Sequence, residues 1–530
     1  MRLMHSTRLG AFAALLLVCT AAAAGRAQSD PIVTVTGGQI RGAALAGGAV
    51  FKGIPFAAPP TGERRWREPM PVQSWSGIRD ATKFGAICPQ QPSPIVGEAI
   101  KTAGEDCLFL NVWTAQWPAA GAARPVMVWI PGGGNFAGAA SQAVYDGEAL
   151  ARRGVVVVTL NYRLGAFGFF SHPALTRESP RRASGNQGIL DQIAALRWVQ
   201  ENIARFGGDP KNVTIFGESA GSLDVSVLLT SPLSKGLFHR AIAESGPVVL
   251  VGEPSTLVEA EKRGQAAASR WKILADASLD TLRAVSTADI LAAEANLFGD
   301  GIANAFPNLG ITVDGYVFPR KPAHIFATGA QYRVPMLLGN NGREQVPGSV
   351  LAKDLPQAIA DAYGPLAPRA VKLYVGAPDP VYGTPAEQWG TDTSFRCATV
   401  AQAMWHAAAG NPTFHYEFTH VPLERAALGA THASELSHVF GTYQQGVIGV
   451  GPIARATDAD ARLSDVMQRY WTNFAKTGDP NGPGVPNWPK FDAKSRGYVE
   501  FATTGPAVKQ ALRRPYCDLF IENVTRVSVK

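Results

Sequence analysis

Val213-Thr214-Ile215-Phe216-Gly217-Glu218-Ser219-Ala220-Gly221, followed by the apolar run Leu223–Leu229, decides how the rest of this chain is read. The first four residues are β-branched or apolar on both faces, as a buried parallel strand requires. The run beyond Gly221 reads as a helix. Between them lies G-x-S-x-G, the sharp bend that lifts a serine hydroxyl above the end of a sheet. Such a bend strains the serine backbone, and glycine on either side removes the collisions that Cβ atoms would cause. A bare G-x-S-x-G is a weak signal, and its bland reading is a Ser/Gly helix cap. In a strand–turn–helix frame it marks Ser219 as a nucleophile.

Working outward, Pro125–Ile130 and Val155–Tyr162 also read as buried strands. Gly188–Phe206 carries Ile189, Ile193, Leu196, Val199 and Ile203 at helical spacing, so strand, helix and strand follow one another into Val213–Phe216. Val334–Gly339 and Thr413–Phe418 are further strands, while 255–330 and 350–410 are Ala-rich and more helical. The expectation is an α/β fold: a central, mostly parallel sheet flanked by helices, with helical excursions over its C-terminal edge. No repeat or linker divides the chain, so one domain is expected over 28–530.

A nucleophilic serine needs donors for the charge that develops on the attacked carbonyl oxygen. Directly after the strand Pro125–Ile130 come Pro131-Gly132-Gly133-Gly134-Asn135-Phe136. Three successive glycines leave backbone N–H groups bare and free to face a ligand. Gly133 and Gly134 are the candidate donors from this loop, and Ala220, next after the nucleophile, supplies the third.

Composition narrows the setting. The chain has 530 residues, 46% hydrophobic and 17% charged, which excludes disorder and coiled coil. Residues 1–27 carry Arg2 and Arg8, an apolar run Leu9–Ala24, and small residues before Gln28, the pattern of a cleaved secretory signal. The run is shorter than the ~20 residues a membrane span wants. Cleavage after Ala24 and after Ala27 both fit, and the bulky Val18 argues against a lipid anchor at Cys19. Without its three leader arginines the net charge falls from +7 to +4, too little to argue for nucleic acid. The expected product is exported, periplasmic or secreted, with no membrane span. It keeps Cys88, Cys107, Cys397 and Cys517, an even set that favours disulfides and allows three pairings.

The chain resembles the type-B carboxylesterases, the carboxylesterase/cholinesterase branch of the α/β-hydrolases. Phe206-Gly207-Gly208 with Val213 and Gly217–Gly221 is similar to that family's active-site signature, and Glu105-Asp106-Cys107-Leu108-Phe109-Leu110-Asn111-Val112 to its second. FKGIPFAAPP at 51–60, NYRLGAFGF at 161–169, GNQGILDQIAALRWV at 185–199 and YWTNFAKTGDPN at 470–481 extend the likeness over roughly 33–520.

The resemblance implies an α/β-hydrolase fold and a Ser-His-Glu triad. Glu344 is the acid, in Gly339-Asn340-Asn341-Gly342-Arg343-Glu344, although Gln345 stands where the family usually has Gly. His432, in Thr431-His432-Ala433-Ser434-Glu435-Leu436, is the histidine, with His438 the alternate. Glu435 and Ser245 match positions that help hold the histidine. The same likeness pairs Cys88 with Cys107 and Cys397 with Cys517, and makes Arg65–Glu105 and Arg163–Asp191 structural ion pairs.

Two departures qualify it. Pro131 stands before the glycine run, where His or an aromatic is common. The Cys88–Cys107 loop has 18 intervening residues and no tryptophan, which disfavours the cation–π recognition of a choline ester. The implied activity is hydrolysis of small-molecule carboxylic esters through an acyl-enzyme, with neither metal nor organic cofactor needed. A non-catalytic adhesion or binding member of the fold and a true lipase are the alternatives. An ordinary imidazole base would make activity rise with pH through roughly 6–7. The ester itself and the oligomeric state are not readable, because the pocket-building segments near 90–104, 285–312 and 345–395 match the family poorly.

Overall fold

A computed structural model describes residues 30–93, 97–119, 121, 123–249, 254–299, 310–344, 354–443, 453 and 455–528. The expected leader 1–27, Gln345, and parts of the three pocket-building segments (94–96, 300–309 and 345–353) lie outside the described residues.

Eleven strands form the main sheet. In chain order they are β1 (Ala43–Ala44), β2 (Ala49–Pro55), β3 (Phe109–Thr114), β4 (Arg124–Ile130), β5 (Val156–Leu160) and β6 (Gly208–Glu218). They continue with β7 (Arg240–Glu244), β8 (Met336–Asn341), β9 (Thr413–Phe418), β10 (Gly497–Ala502) and β11 (Gly505–Gln510). Across the sheet the order is β11-β10-β9-β8-β7-β6-β4-β5-β3-β2-β1. Neighbours from β5 through β10 are parallel, and both margins are antiparallel. The helix between β5 and β6, α1 (Gln187–Asn202), thus belongs to a crossover that leaves room for β4 between its two strands.

Strand alternation divides the core. Val126, Val128 and Ile130 of β4 pack with Ile189, Ile193 and Leu196 of α1 on one face. Met127 and Trp129 face the other way, against Met467, Trp471 and Phe474 of α4 (Asp458–Thr477). Successive strand residues point to opposite faces, so each strand helps bury both helix layers. The helix α2 (Ala220–Leu228) is buried along its whole length and follows β6 without a loop.

Cystine bonds join Cys88 to Cys107 and Cys397 to Cys517. The second ties the start of α3 (Cys397–Ala408) to α5 (Arg514–Ser528) across 120 residues of sequence. Arg65 forks onto Glu105 (Nε–Oε2 2.8 Å) and also donates to the Val285 carbonyl. Arg163 forks onto Asp191 (2.7 and 2.8 Å), with both side chains buried. Among the described residues no helix is long and apolar enough to cross a membrane.

Candidate active site

The candidate residues lie just beyond the carboxyl ends of parallel strands, where open α/β sheets form their clefts. The glycine run follows β4, Ser219 follows β6, Ser245 follows β7 and Glu344 follows β8. His432 sits in the long connection after β9.

Ser219 has φ 58° and ψ −124°, a positive φ that non-glycine residues rarely adopt. Its N–H donates to the Glu244 carbonyl at 2.9 Å, and its own carbonyl starts α2 by accepting from Leu223. The flanking glycines are steric requirements. A Cβ on Gly221 would lie 2.1 Å from the Ile130 carbonyl oxygen, and one on Gly217 would lie 2.6 Å from Gly221 backbone. Gly246, absent from the sequence reading, is equally constrained: its Cβ would meet the Ser219 carbonyl oxygen at 2.0 Å.

The glycine run packs directly on this bend. A Cβ on Gly132 would fall 3.1 Å from Ser219 Cβ. Among the described residues, the amides of Gly133, Gly134 and Ala220 donate no hydrogen bond, so all three remain available to a ligand. Residues that sequence reasoning missed hold the loop. Tyr162 Oη lies 2.9 Å from the Pro131 carbonyl oxygen and 2.8 Å from Asn135 Oδ1, and Asn135 Nδ2 donates to Asp224 Oδ1 at 3.2 Å. Asp224 also accepts from Gln192 Nε2 at 2.5 Å, and burial pushes its carboxyl up to about 7. Pro131 therefore serves as an anchored end of the loop through its carbonyl.

Glu344 and His432 meet at 2.6 Å, Oε2 to Nδ1. The other carboxylate oxygen of Glu344 accepts from Ser245 Oγ at 2.7 Å and from the Asn341 amide at 2.5 Å. Thr391 Oγ1 accepts from the Glu344 N–H at 3.1 Å. Below this loop, the fully buried Arg396 donates to the Gly342 carbonyl at 2.5 Å and pairs with Glu417 at 2.9 Å. The Glu344–His432 pairing is spatial, 88 residues apart in sequence, and no local pattern reveals Arg396.

Among the described residues neither Ser245 nor Glu435 hydrogen-bonds His432 directly. Ser245 reaches it through Glu344, whose other oxygen it holds. Glu435 accepts from Asn341 Nδ2 at 2.6 Å, and burial pushes it up to about 7. His438, the alternate histidine, lies outside the site beside Asp460.

His432 Nε2 lies 3.1 Å from Glu218 Oε1, and among the described residues no hydrogen bond joins it to Ser219 Oγ. Burial alone would lower the imidazole pKa, but Glu218 and the hydrogen bond to Glu344 outweigh it and push it up to about 9. Burial also pushes Glu218 up to about 8, against the pull of His432, and among the described residues neither Glu218 oxygen has a hydrogen-bond partner. Glu218 raises His432 only while it is ionised, so the charge on each group depends on the charge on the other.

A bent serine, bare amides and a carboxylate–imidazole pair gather at one edge of this sheet. The carboxylesterase family model matches residues 29–360 and 382–520. The chain belongs to the carboxylesterase family. Among its relatives is a medium-chain fatty acyl-CoA hydrolase precursor of Anas platyrhynchos, 36% identical over 93% of this chain and 92% of that protein. Another is the cocaine esterase of Homo sapiens, 35% identical over 96% of this chain and 94% of that protein. The fold of this carboxylesterase superposes on a solved PNB esterase with a TM-score of 0.81 and 34% identity, covering 93% of this chain and 99% of the other.

Proposed function

We propose that this carboxylic ester hydrolase works through an acyl-enzyme on Ser219. Neutral His432 takes the hydroxyl proton through Nε2 as Ser219 Oγ attacks the ester carbonyl. The amides of Gly133, Gly134 and Ala220 hold the oxyanion. The tetrahedral intermediate collapses, the C–O bond to the alcohol breaks, and His432 gives its proton to the departing oxygen. Water then enters, loses a proton to His432 and attacks the acyl carbon, releasing the acid and restoring Ser219. Glu344 fixes the imidazole tautomer and stabilises its cation. The observation that carries this reading is the 2.6 Å Glu344–His432 contact beside a serine with φ 58°.

Turnover of p-nitrophenyl acetate or butyrate, with and without a serine-directed organophosphate, tests it. The native chain should turn over and become labelled at Ser219. Ser219→Ala should lose several orders of magnitude in turnover and all labelling. A folded native chain that neither hydrolyses nor is labelled would overturn the reading in favour of a binding protein.

The protein also reads as exported, with 1–27 removed. Two disulfides and the expected leader support that compartment. N-terminal sequencing of protein recovered outside the cytoplasm should begin at Gly25 or Gln28.

A further inference from the structure

Behind the catalytic loop, three side chains of metal-ligating chemistry converge in a place the ester reaction does not use. His420 lies just past β9, His438 lies in the short helix Leu436–Phe440, and Asp460 lies in the first turn of α4. All three are at most 2% exposed. Their ligand atoms fall within 4.8 Å of one another. His420 Nε2 sits 2.7 Å from Asp460 Oδ1, and His438 Nε2 sits 3.5 Å from the same oxygen.

From this convergence we propose a binding site for a zinc-type divalent transition cation, with His420 Nε2, His438 Nε2 and Asp460 Oδ1 as ligands. The unused nitrogen carries the argument. His438 Nε2 is buried and has no hydrogen-bond partner among the described residues. His438 Nδ1 lies 3.4 Å from Ser437 Oγ, while Nε2 faces Asp460 Oδ1 at 3.5 Å, long for a hydrogen bond. A neutral imidazole with one nitrogen held by a polar neighbour and the other turned to a carboxylate ligand is what a metal-bound histidine presents.

The other two ligands are similarly prepared. Asp460 Oδ2 is committed to capping α4, accepting from Thr457 N at 2.7 Å and Thr457 Oγ1 at 2.6 Å, so Oδ1 alone turns inward. His420 Nδ1 lies 3.1 Å from Thr503 Oγ1. Tetrahedral ligands at about 2.0–2.2 Å from zinc stand about 3.3 Å apart. The His438–Asp460 spacing is close to that already, and the His420–Asp460 spacing must widen by about 0.6 Å. Imidazole and carboxylate together suit zinc better than calcium or magnesium, which take oxygen ligands.

The cation would clamp three separate elements: the end of the central sheet, the helix six residues beyond His432, and α4. Its effect should therefore appear in stability, whether or not the ester chemistry is as proposed.

Untagged full-length mature protein, stripped with chelator and dialysed, is titrated with zinc chloride. Metal content by mass spectrometry and Tm are the readouts, and cobalt(II) absorption reports ligand geometry. One zinc per chain, a rise in Tm and a tetrahedral cobalt spectrum are expected. His438→Phe removes both ring nitrogens, Nε2 among them, and keeps a ring against Phe418, whose centroid is 5.3 Å away. It should weaken zinc binding at least tenfold and abolish the Tm rise. His438→Gln serves if the Phe variant does not fold. Failure of the native protein to bind zinc, or equal binding by both forms, would overturn the site.

Discussion

Glu218 Oε1 stands 3.1 Å from His432 Nε2, so the residue before the nucleophile touches the base that should serve it. Its charge raises the imidazole pKa, and its own pKa is raised by burial. Glu218→Gln keeps the shape and removes the charge. The rising limb of kcat/KM should then move to lower pH by roughly 1–3 units, the usual effect of one close opposite charge. A kcat/KM profile from acid to mildly alkaline pH on a p-nitrophenyl ester checks this; an unmoved limb would separate Glu218 from the base.

Ser245 acts on the acid. Ser245→Ala deletes the 2.7 Å donor to Glu344 Oε1, leaving the Asn341 amide on that oxygen. A hydrogen bond to a charged group is worth about 1.5 kcal/mol, so kcat should fall about tenfold while KM changes little. Equal kcat for the Ala variant would remove Ser245 from the positioning chain.

Asp224 ties the glycine loop to the core, and its folded pKa lies at about 7, above the unfolded value near 4. A raised folded pKa means the fold prefers the protonated acid. That stability is complete below about pH 4 and is lost as pH rises through about 7. Asp224→Asn cannot ionise and can donate to Gln192 Oε1, which has no partner among the described residues. Its unfolding free energy should depend less on pH across that window than the native protein's. Parallel curves from denaturant titrations would contradict this.

Arg396 is fully buried among Glu417, Asp392 and the Gly342 carbonyl. Arg396→Met leaves Glu417 without its cation and Asp392 with Arg513 alone, and should cost about 3–5 kcal/mol of stability. Adding Glu417→Gln should return part of it, because one uncompensated charge is then gone. Thermal unfolding of the single and double variants measures both.

Strand, bend and glycine run were legible from local chemistry alone. G-x-S-x-G needs small residues because Ile130 backbone passes 2.1 Å from where a Cβ would stand, and that need is written into the sequence. The triad acid and histidine were assigned through likeness to a family, since no spacing links residues 88 positions apart. The supporting side chains (Tyr162, Asn135, Asp224, Thr391 and Arg396) gave no local signal. Each is an ordinary polar residue until the sheet brings it to its partner.

The order of elements, the glycines at the bend and the apolar alternation of the strands are thus properties of the sequence itself, because neighbours along the chain impose them. Which oxygen Ser245 meets, how far Glu218 shifts His432, and whether His420, His438 and Asp460 share one buried space depend on side chains from distant segments. Distance and burial set those interactions, and both exist only once the chain has folded.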